Sequence, residues 1–402
     1  MTSPLSSPST RDVPTAARPV CAGQRAAPGE AVLLTPGPLT THADTRLAMQ
    51  RDWGSWDEDF IGLTRRVLAR LLDVARTPAS DFACVPLQGS GTFAVEAAIG
   101  TLVPRDGGLL VLANGAYGRR MHALARRAGR HSRLVESPDD RAIDPGDLAS
   151  ILATDPSLTH VGVIQVETTA GVLNPVDEIA DTAARYGRRL IVDAMSGFGA
   201  LPCPVDRWET LDALVASPNK CLESVPGMAF VIARQTALEA AGGRCHSLSL
   251  DLEDQWRYLR LTGQWRYTPP THVLAALASA LERFDAEGGA PARLQRYRAN
   301  CATLIAGASA LGLETFVRPQ DQAPVIVTFH APRHPAYSFD RFYSAVKSRG
   351  FILYPGKLTH AETFRVGCIG AIDAATMVRA TGAIGAALTE LEIDHPSREP
   401  TP

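Results

Sequence analysis

Short apolar runs separated by helix-length stretches are the feature that most narrows the folds open to this chain. Residues 82–87, 109–113, 161–166, 190–193, 213–216 and 229–233 are brief, apolar and flanked by turn residues, and each reads as a buried strand. The apolar-rich stretch 92–102 reads as a helix between the first two. Between 161–166 and 190–193, Val176, Ile179, Ala183 and Tyr186 fall on one helical face that starts at Pro175 and stops at Gly187. Strand, helix, strand in succession predicts βαβ units and a large, mostly parallel sheet.

Another helix is expected at 63–72. Beyond Pro270, Leu274, Leu277, Leu281 and Phe284 mark one helix, and Leu294, Tyr297, Leu304, Ile305 and Leu311 mark a second. A strand at 325–329, a helix at 339–348, strands at 351–354 and 364–366 and a helix at 374–391 complete the chain. At 402 residues, more than one core is expected. The division read from these patterns is a disordered extension at 1–30, a large domain at 31–275, a smaller α/β domain at 276–393 and a disordered tail at 394–402. The first thirty residues, rich in Ser, Thr, Pro, Ala and Arg, lack the apolar stretch of a secretory signal.

Lys plus Arg (40) balance Asp plus Glu (42), so no basic surplus points to nucleic acid or an anionic membrane. No apolar run is long enough to span a bilayer. The seven cysteines are widely spaced and form no C-x-x-C pair. They offer no zinc cluster, imply no metal and fit a reducing, cytoplasmic setting. A small-molecule function is the expectation that remains.

Ligands of such sheets gather beyond the carboxyl ends of the strands, and three features stand there. Gly89-Ser90-Gly91-Thr92 lies at a strand-to-helix turn, where glycines admit an anion, hydroxyls donate and the helix offers unpaired N–H groups. Gly89, Gly91 and Ala94 also spell G-x-G-x-x-A. A dinucleotide site would need an acidic residue at the end of the next strand, where Asn114, Gly115 and Ala116 stand instead; Asp106 precedes that strand. Asp193 closes strand 190–193 and suits a protonated pyridine nitrogen. Lys220 follows strand 213–216 and, once deprotonated, suits an aldehyde. Singly, these read equally as a plain glycine turn, a capping aspartate and a solvated lysine. Their conjunction, in this order, points to a phosphorylated pyridine aldehyde.

At these residues the sequence resembles the fold-type-I pyridoxal-phosphate enzymes, and more closely the 2-aminoethylphosphonate–pyruvate transaminase family within class V. The likeness runs from about residue 33 to 384. It is carried by Leu34-Thr35-Pro36-Gly37-Pro38, Leu87-Gln88-Gly89-Ser90-Gly91, Asn114-Gly115-Ala116-Tyr117-Gly118, Glu167-Thr168-Thr169, Asp193-Ala194-Met195-Ser196, Asn219-Lys220-Cys221, Ser247-Leu248-Ser249-Leu250-Asp251-Leu252 and Tyr354-Pro355-Gly356-Lys357. The resemblance implies pyridoxal 5′-phosphate, an aminophosphonate and pyruvate as substrates, and a homodimer with shared active sites. It implies that Lys220 carries the cofactor and shuttles a proton, that Asp193 holds the ring nitrogen and that Thr168 reaches the ring hydroxyl. Ser90, Gly91 and Thr92 would hold the phosphate, Met121 would lie against the ring, and Thr268 would reach across from the other subunit. Arg365 would take the carboxylate through its planar fork, Gly37 would border the substrate, and Arg120 would face the phosphonate. The sequence departs from the family pattern at Ala170, Gly197, Pro218 and Ser224, beside these positions, which leaves the amino donor open. Another donor, or binding of the cofactor without turnover, stands as the alternative.

Overall fold

The protein is described by a computed structural model over residues 30–358 and 360–393. Apart from Glu30, the expected N-terminal extension, with Cys21, lies outside the described residues, as does the expected tail. Phe82–Gly89 (β1), Gly108–Ala113 (β2), His131–Glu136 (β3), Leu158–Ile164 (β4), Arg189–Asp193 (β5), Leu211–Ala216 (β6) and Gly227–Arg234 (β7) form one seven-stranded sheet, in the order β1-β7-β6-β5-β4-β2-β3. β7 is antiparallel to β1 and β6, and every other pair is parallel. β2 and β6 are buried along their whole length, because helices cover both faces of the sheet. β3 alternates between exposed and half-buried positions, as an edge strand tolerates. That polarity hid it from the apolar-run criterion.

The covering helices of this part are Glu58–Val74 (α1), Gly91–Leu102 (α2), Ala116–Arg127 (α3), Val176–Arg185 (α4) and Leu252–Thr262 (α5). α1 begins five residues before the expected start. The Asp57 carboxylate accepts from the Asp59 N–H at 2.9 Å and caps it there, and Phe60 and Ile61 are buried. The strand expected over 161–166 stops at Ile164. Its register against β5 ends at the Ile164–Asp193 pair, so Val166–Glu167 turns aside to pair with Val172–Leu173.

Thr271–Glu287 (α6) and Gly289–Ala310 (α7) lead into a three-stranded antiparallel sheet of Ile326–His330 (β8), Tyr354–Pro355 (β9) and Thr363–Gly367 (β10), flanked by Phe339–Ser348 (α8) and Ala374–Glu390 (α9). The single strand expected over 351–354 is two. Phe351–Ile352 pairs in parallel with Val32–Leu33, and Tyr354–Pro355 pairs with β10, each meeting a different partner. Leu34, Leu304, Phe329, Phe342, Phe364 and Ile384 share a second core. Residues 32–34 therefore pack with the C-terminal part, and position 275 lies inside α6.

Candidate active site

β1, β5 and β6 all point the same way, so Gly89, Asp193 and the residues after Ala216 meet at one sheet edge. There a cavity of about 450 Å³ opens, lined by residues that include Gly37, Ser90, Gly91, Thr92, Arg120, Met121, Thr168, Asp193 and Lys220. Its size is that of a small-molecule site. Of the residues singled out in the sequence, Arg365 and Thr268 fall outside this lining. Arg365 lies just behind it: it is buried and donates to the Thr168 carbonyl at 2.8 Å and the Pro355 carbonyl at 3.0 Å. Thr268 is exposed in a separate surface depression with Trp56, Arg266 and Tyr267.

Ser90 is the N-cap of α2, yet its hydroxyl makes no capping bond. Among the described residues no protein acceptor takes the N–H groups of Gly91 and Thr92, so three donors and a positive helix end open toward the cavity. The Thr92 hydroxyl accepts from Arg120 at 3.2 Å, which brings a guanidinium to the same rim. A Cβ on Gly91 would collide with the Met195 side chain. Any side chain at position 91 would have to push the end of Met195 aside.

Asp193 is buried, and one carboxylate oxygen accepts from the Met195 N–H at 2.9 Å. The other has no protein donor among the described residues. Burial pushes this carboxyl up to about 6; the Met195 bond pulls it down and Glu167 pushes it further up. A cationic partner placed at the free oxygen would reverse that shift. Lys220 lies on the turn after β6, where the Glu223 N–H donates to the Lys220 carbonyl at 2.9 Å. Burial holds its amine below the ordinary lysine value, although Tyr117, Cys221 and Asp193 pull the other way. The deprotonated amine is the form that attacks an aldehyde, and the downward shift favours it.

Gly37 makes room for that lysine. Its φ is +112°, and a Cβ there would stand 2.5 Å from Lys220 Cδ and 2.6 Å from the Asn219 carbonyl oxygen. Gly37→Ala is therefore expected to displace Lys220 and to lower turnover about 100-fold. Steady-state rates beside a cofactor titration followed by visible absorbance check this; unchanged rates would mean the loop yields without moving Lys220.

Met121 is buried on the cavity wall against Gly162, whose missing side chain leaves space for its sulfur. Two further residues join the site; both lie in segments that carry the family resemblance, but the sequence itself assigns a role to neither. The Tyr117 phenol lines the cavity; burial raises its pKa, but Lys220, Lys357 and hydrogen bonds to Thr168 and Lys357 bring it below the usual tyrosine value. The Lys357 ammonium lies 4.4 Å from the Tyr117 ring centroid. A tyrosine one residue into α3 carries no distinctive local pattern. The fully buried Glu167 carboxylate fixes its backbone by accepting from the N–H groups of Tyr117 (3.1 Å) and Gly118 (3.2 Å).

The open carboxylate oxygen, the buried amine and the anion cradle fit the pyridine nitrogen, aldehyde and phosphate of pyridoxal phosphate. On a mostly parallel sheet, they define a fold-type-I pyridoxal-phosphate enzyme. The comparisons agree. The family described as Aminotransferase class-V matches residues 83–350. A protein of Pseudomonas aeruginosa strain PAO1, named 2-aminoethylphosphonate–pyruvate transaminase, is 56% identical over 90% of this chain and 97% of its own length. One of the same name from Burkholderia ambifaria is 57% identical over 90% of this chain and 96% of its own. Among solved structures, pyridoxamine-pyruvate aminotransferase from Mesorhizobium loti superposes with a TM-score of 0.82 at 25% identity, covering 90% of this chain and 93% of that one. Ureidoglycine-glyoxylate aminotransferase from Bacillus subtilis, at 21% identity, shares the fold with a TM-score of 0.83 over 92% of this chain and 95% of that one. This chain belongs to the class-V aminotransferase family, and its cofactor is pyridoxal phosphate.

Proposed function

We propose that the protein transfers the amino group of 2-aminoethylphosphonate to pyruvate, giving phosphonoacetaldehyde and L-alanine. The carrying observation is the near full-length identity, above one half, with relatives named for that reaction. When bound, pyridoxal phosphate supplies an electron-accepting ring conjugated with the substrate nitrogen. Lys220 Nζ would hold the cofactor through its aldehyde carbon, and the free amine would take the proton from the substrate carbon that bears nitrogen and return one in the opposite half-reaction. The low-lying amine pKa keeps Lys220 able to accept that proton. The open oxygen of Asp193 would hold the ring nitrogen, Thr168 would serve the ring hydroxyl, and Met121 would pack against the ring. The Ser90 hydroxyl, the Gly91 and Thr92 N–H groups and the Thr92 hydroxyl would hold the phosphate.

Arg365 takes the carboxylate of pyruvate or alanine, and Arg120 the phosphonate, with Gly37 at the substrate edge. Two Arg365 nitrogens are tied to backbone carbonyls, which leaves the third for an anion. Arg365→Lys is expected to raise the KM for pyruvate about 100-fold while the rate of the 2-aminoethylphosphonate half-reaction changes far less. Steady-state and single-turnover kinetics distinguish this from a purely structural role, in which both would fall together.

A homodimer belongs to this reading, with Thr268 of the partner subunit reaching the phosphate. Trp56 (77% exposed), Leu248 (77%) and Tyr267 (43%) support it. Trp56 and Tyr267 share one surface depression with Thr268, Leu248 is tied to it through Arg266, and exposed large apolar side chains of this kind are what a second subunit covers. A role in cytoplasmic phosphonate metabolism follows from the same reading. The test is alanine formation from pyruvate with a panel of amines. 2-Aminoethylphosphonate is expected to exceed serine and other aminophosphonates in kcat/KM by about 100-fold or more. A faster donor among them would overturn the assignment.

A further inference from the structure

Resting on that reading of Lys220 and Arg365, we propose that an ion cluster on α7 is a positioning device that sets these two residues relative to each other. The turn carrying Lys220 ends at Glu223, a non-glycine residue in the left-handed region (φ +57°) with a buried side chain. Such a conformation is held only where its surroundings insist on it. Here the Glu223 carboxylate accepts from Arg296 Nη2 at 2.7 Å and from the Tyr297 hydroxyl at 2.6 Å. Arg293, almost fully buried, donates to the Cys221 carbonyl at 2.6 Å, directly after Lys220. Glu287 closes the charge balance, accepting from Arg293 Nε and Arg296 Nε at 2.9 Å each.

The same side chains also grip the other end of the site. Arg296 Nη1 donates to the carbonyls of Gly370 (2.6 Å) and Ile372 (2.8 Å), and the Asn300 amide donates to the Cys368 carbonyl at 3.0 Å. Residues 368–372 leave β10 immediately after the strand that holds Arg365. One guanidinium thus spans Glu223 on the lysine turn and the loop behind the substrate arginine. Stability alone does not call for this arrangement, since a cluster of two buried and two half-buried charges is no better than apolar packing of equal volume. A fixed geometry between two polar loops does call for it, because displacements near 1 Å cost about 100-fold in rate.

The two test variants are Arg296→Lys, which keeps the charge but loses the fork, and the charge-neutral Tyr297→Phe; each is studied as holoenzyme. Both should retain bound cofactor by visible absorbance. Arg296→Lys should slow the single-turnover amine half-reaction, the lysine side, and raise the KM for pyruvate, the arginine side, by roughly 10-fold each. Tyr297→Phe should move both in the same direction by less. A lower melting temperature with both kinetic values within twofold of the parent, or a change on one side alone, overturns the proposal. If Arg296→Lys does not fold, Tyr297→Phe decides by the same criteria. A parent holoenzyme without Lys220-dependent visible absorbance would instead sink the functional reading itself.

Discussion

Replacing Lys220 with alanine is expected to lower turnover by about 10⁴-fold or more while leaving the protein folded. The lysine amine makes no hydrogen bond to the protein among the described residues, so its loss orphans no buried partner. Burial depresses its pKa, so an amine at this buried position opposes folding of the cofactor-free protein at pH values below the ordinary lysine value. A lysine with a lowered folded pKa contributes its full stability above its unfolded pKa, and that contribution declines as pH falls towards the folded value and is gone below it. Lys220→Ala should therefore melt, without cofactor, at or above the parent temperature. It should also lose the visible absorbance that the parent carries through purification. Retained absorbance and turnover would end the assignment of this residue.

Asp193→Asn is expected to reduce turnover by about 10³-fold and yet to stabilise the cofactor-free protein at pH 7. Asparagine keeps an acceptor for the Met195 N–H but cannot hold a proton on a ring nitrogen by charge. The stability effect has a pH signature. A carboxyl raised to about 6 by burial favours the folded state below its unfolded value near 3.8. That contribution is lost as pH rises through 6. The rise from 3.8 to about 6 corresponds to roughly 3 kcal/mol as an upper bound. Thermal melts of the cofactor-free parent should fall across pH 4 to 7 relative to those of the variant, and bound cofactor should remove the difference by placing a cation at the open oxygen. A variant less stable than the parent at pH 7 would mean that Asp193 already has a protein cation as its partner.

Much of this site is legible in the sequence, because its parts sit where buried strands end. The runs ending near Gly89, Asp193 and Ala216 are apolar enough to place, and a parallel sheet brings their ends together. The strands and helices that escape are those whose signal is not apolar periodicity. β3 is a polar edge, and α3 has its N-terminal backbone held by Glu167 from a distant segment. α5 is announced only by the Asp251 cap, which accepts from the N–H groups of Glu253 and Asp254. Tyr117 and Lys357 join the site through long-range packing that no local spacing encodes. The need for glycine at position 37 shows only in three dimensions, where Lys220 passes 2.5 Å from the point at which a side chain would begin. Arg365 illustrates the opposite case. Its place in a short strand is readable, but its two backbone acceptors lie in segments far along the chain or across a turn.

The most direct measurement is a spectral titration of the purified protein with 2-aminoethylphosphonate, followed by pyruvate. Visible absorbance should bleach in proportion to the amine added, recover when pyruvate is supplied, and be absent throughout in Lys220→Ala. A spectrum indifferent to 2-aminoethylphosphonate, or one that bleaches and recovers without Lys220, would contradict the placement of the chemistry at this sheet edge.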